Sequence, residues 1–169
     1  MKTKITIGIS ACLFGKNTRY DGGNRHEPML MQALGQSATL IPLCPEAECG
    51  LTIPREPMRL EGDPENPRLM TITTRCELTA PMRAWATERL NAFADDGLAG
   101  LILKARSPSC GKRVVVHGAG DNIYSPGLFA RLVMERFPSL PIADEEELRD
   151  PVRLADFLAR LPQRSSPSR

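Results

Sequence analysis

The run Leu98-Ala99-Gly100-Leu101-Ile102-Leu103-Lys104 decides the fold class. It is apolar up to its last residue and bounded by turn formers, Asp96-Gly97 before it and Arg106-Ser107-Pro108 after it. A short continuous apolar run between turns is the pattern of a strand buried on both faces of a parallel sheet, because crossover helices cover both sides. Upstream, Thr79 to Ala94 places Met82, Trp85, Ala86, Leu90 and Phe93 on one helical stripe, with Pro81 in the first turn. Earlier still, Lys4 to Ala11 reads as a strand entering a loop rich in Gly, Asn and Asp, His26 to Leu34 as a helix stopped by Gly35, and Thr39 to Leu43 as a second strand. Residues 46–67 hold four prolines and are expected to form an ordered loop. Downstream, Val114 to His117 and Leu140 to Ala143 read as short strands, and Pro126 to Arg136 and Pro151 to Leu161 as helices. Strands alternating with helices predict an α/β fold with a mainly parallel sheet whose ligands bind at the carboxyl ends of the strands. Residues 1–161 are read as one domain and 162–169 as a flexible polar tail.

Composition narrows the functional classes. With 22 Lys and Arg against 20 Asp and Glu among 169 residues, the formal charge of +2 gives no broad electrostatic reason to expect a nucleic acid polymer or an anionic membrane as partner. One Trp, two Tyr and five Phe are too few to stack successive bases along a strand. Ile9-Ser10-Ala11-Cys12 has the look of a lipoprotein cleavage site, but the preceding apolar stretch is shorter than the roughly 7–15 residues of a secretory h-region. No run approaches the roughly 18 apolar residues of a membrane span, so a soluble cytoplasmic protein is the expectation. Five cysteines are an odd number for a disulfide framework and point instead to metal, catalysis or packing.

Three cysteines follow predicted strands. Cys12 comes after the first, Cys44 after the second, and Cys110 shortly after the run ending at Lys104. Neighbouring strands would bring them to one edge of the sheet. No Cys-x-x-Cys pair exists, which argues against thioredoxin-like and zinc-ribbon sites. Three thiolates are able to hold a metal or an iron-sulfur cluster, and buried cysteines also serve as small hydrophobes; spacing alone leaves both readings open.

Four segments in order carry a resemblance. They are Ile9 to Leu13 with Arg19-Tyr20-Asp21-Gly22, then Leu43-Cys44-Pro45-Glu46, then Leu51 to Pro57, and last Arg106-Ser107-Pro108-Ser109-Cys110-Gly111. Together they resemble the thiouracil desulfidase family, here as a stand-alone single-domain member. The resemblance implies a Rossmann-like three-layer fold and a 4Fe-4S cluster held by Cys12, Cys44 and Cys110, with one iron free of protein ligand. It implies non-redox desulfuration of a thiolated pyrimidine, 4-thiouracil or its nucleotide, to uracil with release of sulfide. Glu46 maps to the family's catalytic carboxylate and Ser107 to its catalytic serine. Asp21, Gly22, Arg55 and Ser109 are the substrate-binding candidates, and the protein is expected to be a monomer or homodimer.

Other features fall outside that pattern. Cys49 and Cys76 are read as bystanders. Arg19, Arg55, Lys104, Arg106, Lys112 and Arg113 lie in or beside the motif loops, where solvated or structurally paired charges compete with phosphate binding as explanations. His26 and His117 lack metal spacing. Cys49 and Arg55 satisfy the Cys-x5-Arg spacing of phosphate-binding nucleophile loops, yet Pro54 removes a backbone amide that such a loop needs. A non-catalytic cluster protein sensing redox state or iron would account for the thiols without requiring Glu46 and Ser107.

Overall fold

The structure, a computed structural model, describes residues 4–162. The first strand, β1 (Ile5–Ser10), is followed by α1 (Pro28–Gly35), β2 (Ala38–Leu43) and the single-turn α2 (Pro45–Glu48). Next come β3 (Met58–Glu61), β4 (Arg68–Thr71), the long α3 (Thr79–Asp96) and β5 (Gly100–Leu103). The remainder runs β6 (Val114–His117), β7 (Tyr124–Ser125), α4 (Leu128–Arg136), β8 (Ile142–Asp144), α5 (Glu145–Leu148) and α6 (Pro151–Arg160). From residue 163 the expected flexible tail lies outside the described residues.

Four strands in the order β2-β1-β5-β8 form a sheet in which every neighbouring pair is parallel. All four residues of β5 are buried, as a strand covered on both faces requires. Ile7, Ile9 and Ile102 pack with Leu30 and Leu34 of α1 and Phe157 of α6. Leu43, Leu101 and Leu103 pack in a separate cluster with Ala86, Leu90 and Phe93 of α3 and Phe129 and Val133 of α4. Full burial of each such side chain contributes about 1.5–3 kcal/mol before the entropy of ordering it is counted.

One mainly parallel sheet was the expectation, and a second, mixed sheet corrects it. Its order is β4-β3-β6-β7, with β3 parallel to β6 but antiparallel to β4, and β6 antiparallel to β7. β3 and all but the first residue of α2 fall within residues 46–67, which therefore are not all loop. The strand escapes sequence reading because it is four residues long, and its parallel partner β6 lies across α3 and β5. Met58, Leu60 and Leu69 form a core with Val114, Val116, Met82 and Leu128. Among the described residues no helix is long and apolar enough to cross a membrane.

Helix starts shift for local reasons. α1 begins at Pro28 rather than His26, because the residue before a proline is pushed out of helical geometry, and Glu27 sits at φ −115°, ψ 79°. α4 begins at Leu128 rather than Pro126, since Gly127 is extended at φ −56°, ψ 158°. A Cβ on Gly127 would lie 2.7 Å from the carbonyl of Ser109, so only glycine lets this helix seat against the Ser107–Cys110 loop.

A cysteine-lined cavity at the strand ends

The order β2-β1-β5 places the carboxyl ends of three adjacent parallel strands on one edge. Hydrogen bonds tie those ends together. The Ala11 amide donates to the Leu43 carbonyl at 2.7 Å, and the Lys104 amide donates to the buried Ser10 hydroxyl at 2.8 Å. Glu145 of α5 completes the scaffold by accepting from the Ala105 amide at 2.7 Å and pairing with Lys104. The chain beyond these ends encloses a cavity of about 450 Å³ whose lining includes Cys12, Cys44, Cys110, Glu46, Ser107 and Ser109. This is the position an open parallel sheet offers a ligand.

Each of the three sulfurs has a distinct setting. Cys12 is buried directly after Ala11, in a loop closed by the Arg25 amide donating to the Cys12 carbonyl at 2.9 Å. Cys44 caps α2, and its sulfur accepts from the Ala47 amide at 3.5 Å. Cys110 is buried, and its amide donates to Ser107 Oγ at 3.1 Å. Gly111 makes that turn possible, because a Cβ there would stand 2.8 Å from the Ser107 carbonyl. Burial pushes the Cys12 thiol up to about 11, with the nearby Cys44 adding to the effect. Burial likewise raises Cys110, reinforced by Cys44, Glu46 and Cys12.

The donor set suits a cluster better than a lone ion. Bare thiolates are disfavoured in this pocket, and a cationic metal centre would supply the missing counter-charge. Among the described residues no three His, Cys, Asp or Glu side chains converge closely enough to hold a single metal ion. An iron-sulfur cluster does not demand that convergence, since each thiolate binds a different iron around a body several atoms across. The amide on Cys44 Sγ is the kind of outer contact that tunes such a centre.

Glu46 belongs to α2, is 8% exposed, and reaches across to the serine loop. Its Oε1 accepts from Ser109 Oγ at 2.9 Å. Its Oε2 accepts from Arg55 Nε at 2.7 Å and Nη2 at 2.6 Å. Arg55 also donates to the Thr18 carbonyl at 2.9 Å, so its guanidinium clamps the carboxylate to the loop that follows Cys12. That engagement holds Arg55, a substrate-binding candidate, in the lining of the cavity. It also goes against a phosphate-binding Cys-x5-Arg loop, whose arginine would face an anion, and the Cys49 thiol instead donates to the Glu46 carbonyl at 3.3 Å.

The other candidates separate clearly. Asp21 and Gly22 lie outside the cavity lining: Asp21 accepts from the Gly23 amide at 3.0 Å and pairs with Arg19, while Gly22 occupies a turn at φ 78°. Arg19 itself lines the cavity, so Asp21 acts on it at one remove. Lys104 and Arg106 line it too but pair with Glu145 and Glu146. Lys112 pairs with Glu147, and Arg113 stacks on Tyr124 at 3.7 Å; neither lines the cavity, nor do His26 and His117. Cys49 is half-buried and Cys76 exposed, both away from the lining. Tyr20, from the Arg19-Tyr20-Asp21-Gly22 segment, lines it, as do Thr18 and Arg25, which carry no sequence signal beyond their nearness to Cys12. The tasks of Ser10 and Glu145 had no signal in the chain, because their partners are 94 and 40 residues away.

Comparison with known proteins then identifies the family. The family model described as 2-thiouracil desulfurase matches residues 7–145, which include the three cysteines, Glu46 and Ser107. The chain belongs to the 2-thiouracil desulfurase family. Similar to this family member is the uncharacterized protein YbbK of Bacillus subtilis (strain 168), at 27% identity over 85% of this chain and 98% of that protein. Among solved structures it is similar to the 4Fe-4S-dependent thiouracil desulfidase TudS, with a TM-score of 0.68 and 29% identity over 92% of this chain and 99% of that one. Thiouracil desulfuration is thus the activity of the family, and its members are enzymes.

Proposed function

We propose that this protein hydrolyses the carbon–sulfur bond of a thiolated pyrimidine, 4-thiouracil or its nucleotide, at a 4Fe-4S cluster that Cys12, Cys44 and Cys110 would hold. The observation that carries this reading is the meeting of three thiols with Glu46, Ser107 and Ser109 in a single cavity at the ends of β2, β1 and β5. The reaction adds water across the thiocarbonyl: oxygen bonds to the ring carbon, sulfur leaves as sulfide, and no net electrons move. When bound, the cluster supplies an iron without a protein ligand, a soft Lewis acid matched to thiocarbonyl sulfur. Glu46, fixed by Arg55, takes and returns the proton of the attacking water, and Ser107 orients that water or the ring. The reading takes the fold as a Rossmann-like three-layer domain, supported by the apolar clusters on the parallel sheet, and the protein as a cytoplasmic monomer or homodimer acting on small molecules rather than on nucleic acid polymers.

Anaerobic reconstitution tests it. The loaded protein is expected to be brown, to carry iron in cluster stoichiometry, and to release sulfide from a panel of 4-thio and 2-thio bases, nucleosides and nucleotides. Cys12→Ala, Cys44→Ala and Cys110→Ala each abolish the colour, whereas Cys49→Ala and Cys76→Ala retain it. Glu46→Ala keeps the colour and loses turnover. Colour without sulfide from any thiolated pyrimidine would make the protein a sensor, and stoichiometric zinc in a colourless protein would overturn the cofactor assignment.

A further inference from the structure

Between Ser107 and Glu46 stands a hydroxyl that the mechanism above leaves unused. Ser109 is 1% exposed, and its Oγ lies 2.9 Å from Glu46 Oε1 and 3.0 Å from Ser107 Oγ. Counting hydrogens gives this chain of oxygens a direction. A carboxylate only accepts, so the single hydrogen of the Ser109 hydroxyl goes to Glu46. The alternative acceptor, Cys110 Sγ at 3.9 Å, is a weaker partner at greater range. Ser109 Oγ therefore accepts in its other contact, and the hydrogen there belongs to Ser107. Both remaining acceptor positions of Ser107 Oγ face backbone amides, Cys110 N at 3.1 Å and Ser109 N at 3.3 Å. Those amides stabilise negative charge on that oxygen, while its proton already points down a path to a base. Arg55 occupies Glu46 Oε2 and leaves Oε1 to Ser109.

We infer that Ser109 is the proton link between Ser107 and Glu46, so that Glu46 acts as base for the Ser107 hydroxyl through Ser109. The transfer balances as two concerted hops. The Ser107 proton passes to Ser109 Oγ as the Ser109 proton passes to Glu46 Oε1. The net change is one proton moved from Ser107 to Glu46, with Ser109 restored. Ser107 lines the cavity and, with its proton withdrawn, takes one from a water molecule held there. The link deepens the desulfidase reading and rests on it. In this role Ser109 acts through Glu46 and Ser107, as a positioning residue.

Two measurements test the link, one of which does not need the cluster. In iron-free protein, phenylmethylsulfonyl fluoride is expected to sulfonylate Ser107, read by peptide mass spectrometry. Labelling should slow by at least about tenfold in Ser109→Ala and Glu46→Gln, and recover in Ser109→Thr, which restores a hydroxyl. Equal labelling of wild type and Ser109→Ala, or no label on Ser107, overturns the inference. In the loaded enzyme, Ser109→Ala should lower kcat about a hundredfold with KM and iron content unchanged. Plots of rate against deuterium fraction should change from curved in wild type to linear in that variant, because more than one proton moves only when the link is present. A fully active Ser109→Ala alongside an inactive Glu46→Ala would remove the link and leave the desulfidase standing. Absence of sulfide release from wild type would remove the desulfidase, and the labelling result would still decide the link.

Discussion

At Arg55 the guanidinium and its carboxylate partner are both nearly inaccessible, with side chains 8% and 11% exposed. A charge pair in that position adds little net stability and costs much to halve, because deleting one member leaves the other buried without compensation. Arg55→Ala is accordingly expected to destabilise the protein by about 3–5 kcal/mol in urea titrations. Arg55→Lys should lose less stability but not restore the two-point grip on Oε2, since an ammonium lacks the planar fork. Stability unchanged in the alanine variant would mean that Glu46 finds another partner. Strand-end positions made Cys12, Cys44 and Cys110 legible as a group, whereas Glu46 was named by the family resemblance. The task of Arg55 was not legible: its nearness to Cys49 in the chain suggests anion binding, and only the fold reveals that its anion is Glu46.

Among the elements, the seat of α4 on the serine loop is the most sensitive. The amides at the start of the helix donate to the Pro108 carbonyl at 2.9 Å from Leu128 and to the Ser109 carbonyl at 3.0 Å from Phe129. Gly127→Ala places a methyl 2.7 Å from the backbone of Ser109, so the loop or the helix must retreat. We expect a loss of about 1–3 kcal/mol, read as a lower thermal midpoint, together with reduced kcat because the serines move relative to Glu46. A variant with the wild-type midpoint would show that the loop yields freely. Apolar pattern explains which elements could be read in advance. α3 spans 18 residues and β5 is wholly apolar, and both were found close to their observed limits. β3, β4 and β7 are not continuous apolar runs: each mixes in polar or charged residues, among them Arg59, Arg68 and Ser125.

For the molecule as a whole, acid stability should depend on Glu61. This β3 residue is buried, accepts from Arg59 Nε at 2.7 Å and Arg75 Nη2 at 2.6 Å, and so joins the second sheet to the loop after β4. Hydrogen bonds from Arg75 and then Arg59 hold its carboxyl at about 2 rather than the ordinary 4.5. A depressed native value means that the unfolded chain takes up the proton first. The stabilisation is complete above pH 4.5 and drains away as the pH falls toward 2. Glu61→Gln should remove that part of the slope from a plot of unfolding free energy against pH; an unaltered slope would assign acid sensitivity elsewhere. The α/β class was readable from the alternation of elements, whereas the division into two sheets was not, because pairing of β3 with β6 is a property of the folded chain alone.

The central position of β1 also bears on how the protein is made. Its two neighbours are β2, which follows it closely, and β5, which begins only at Gly100. While the ribosome is still translating the intervening segment, β1 has one bare edge open to any extended peptide nearby. The third thiol arrives later still. Folding is therefore ordered in time: synthesis past β5 comes first, closure of the sheet on β1 second.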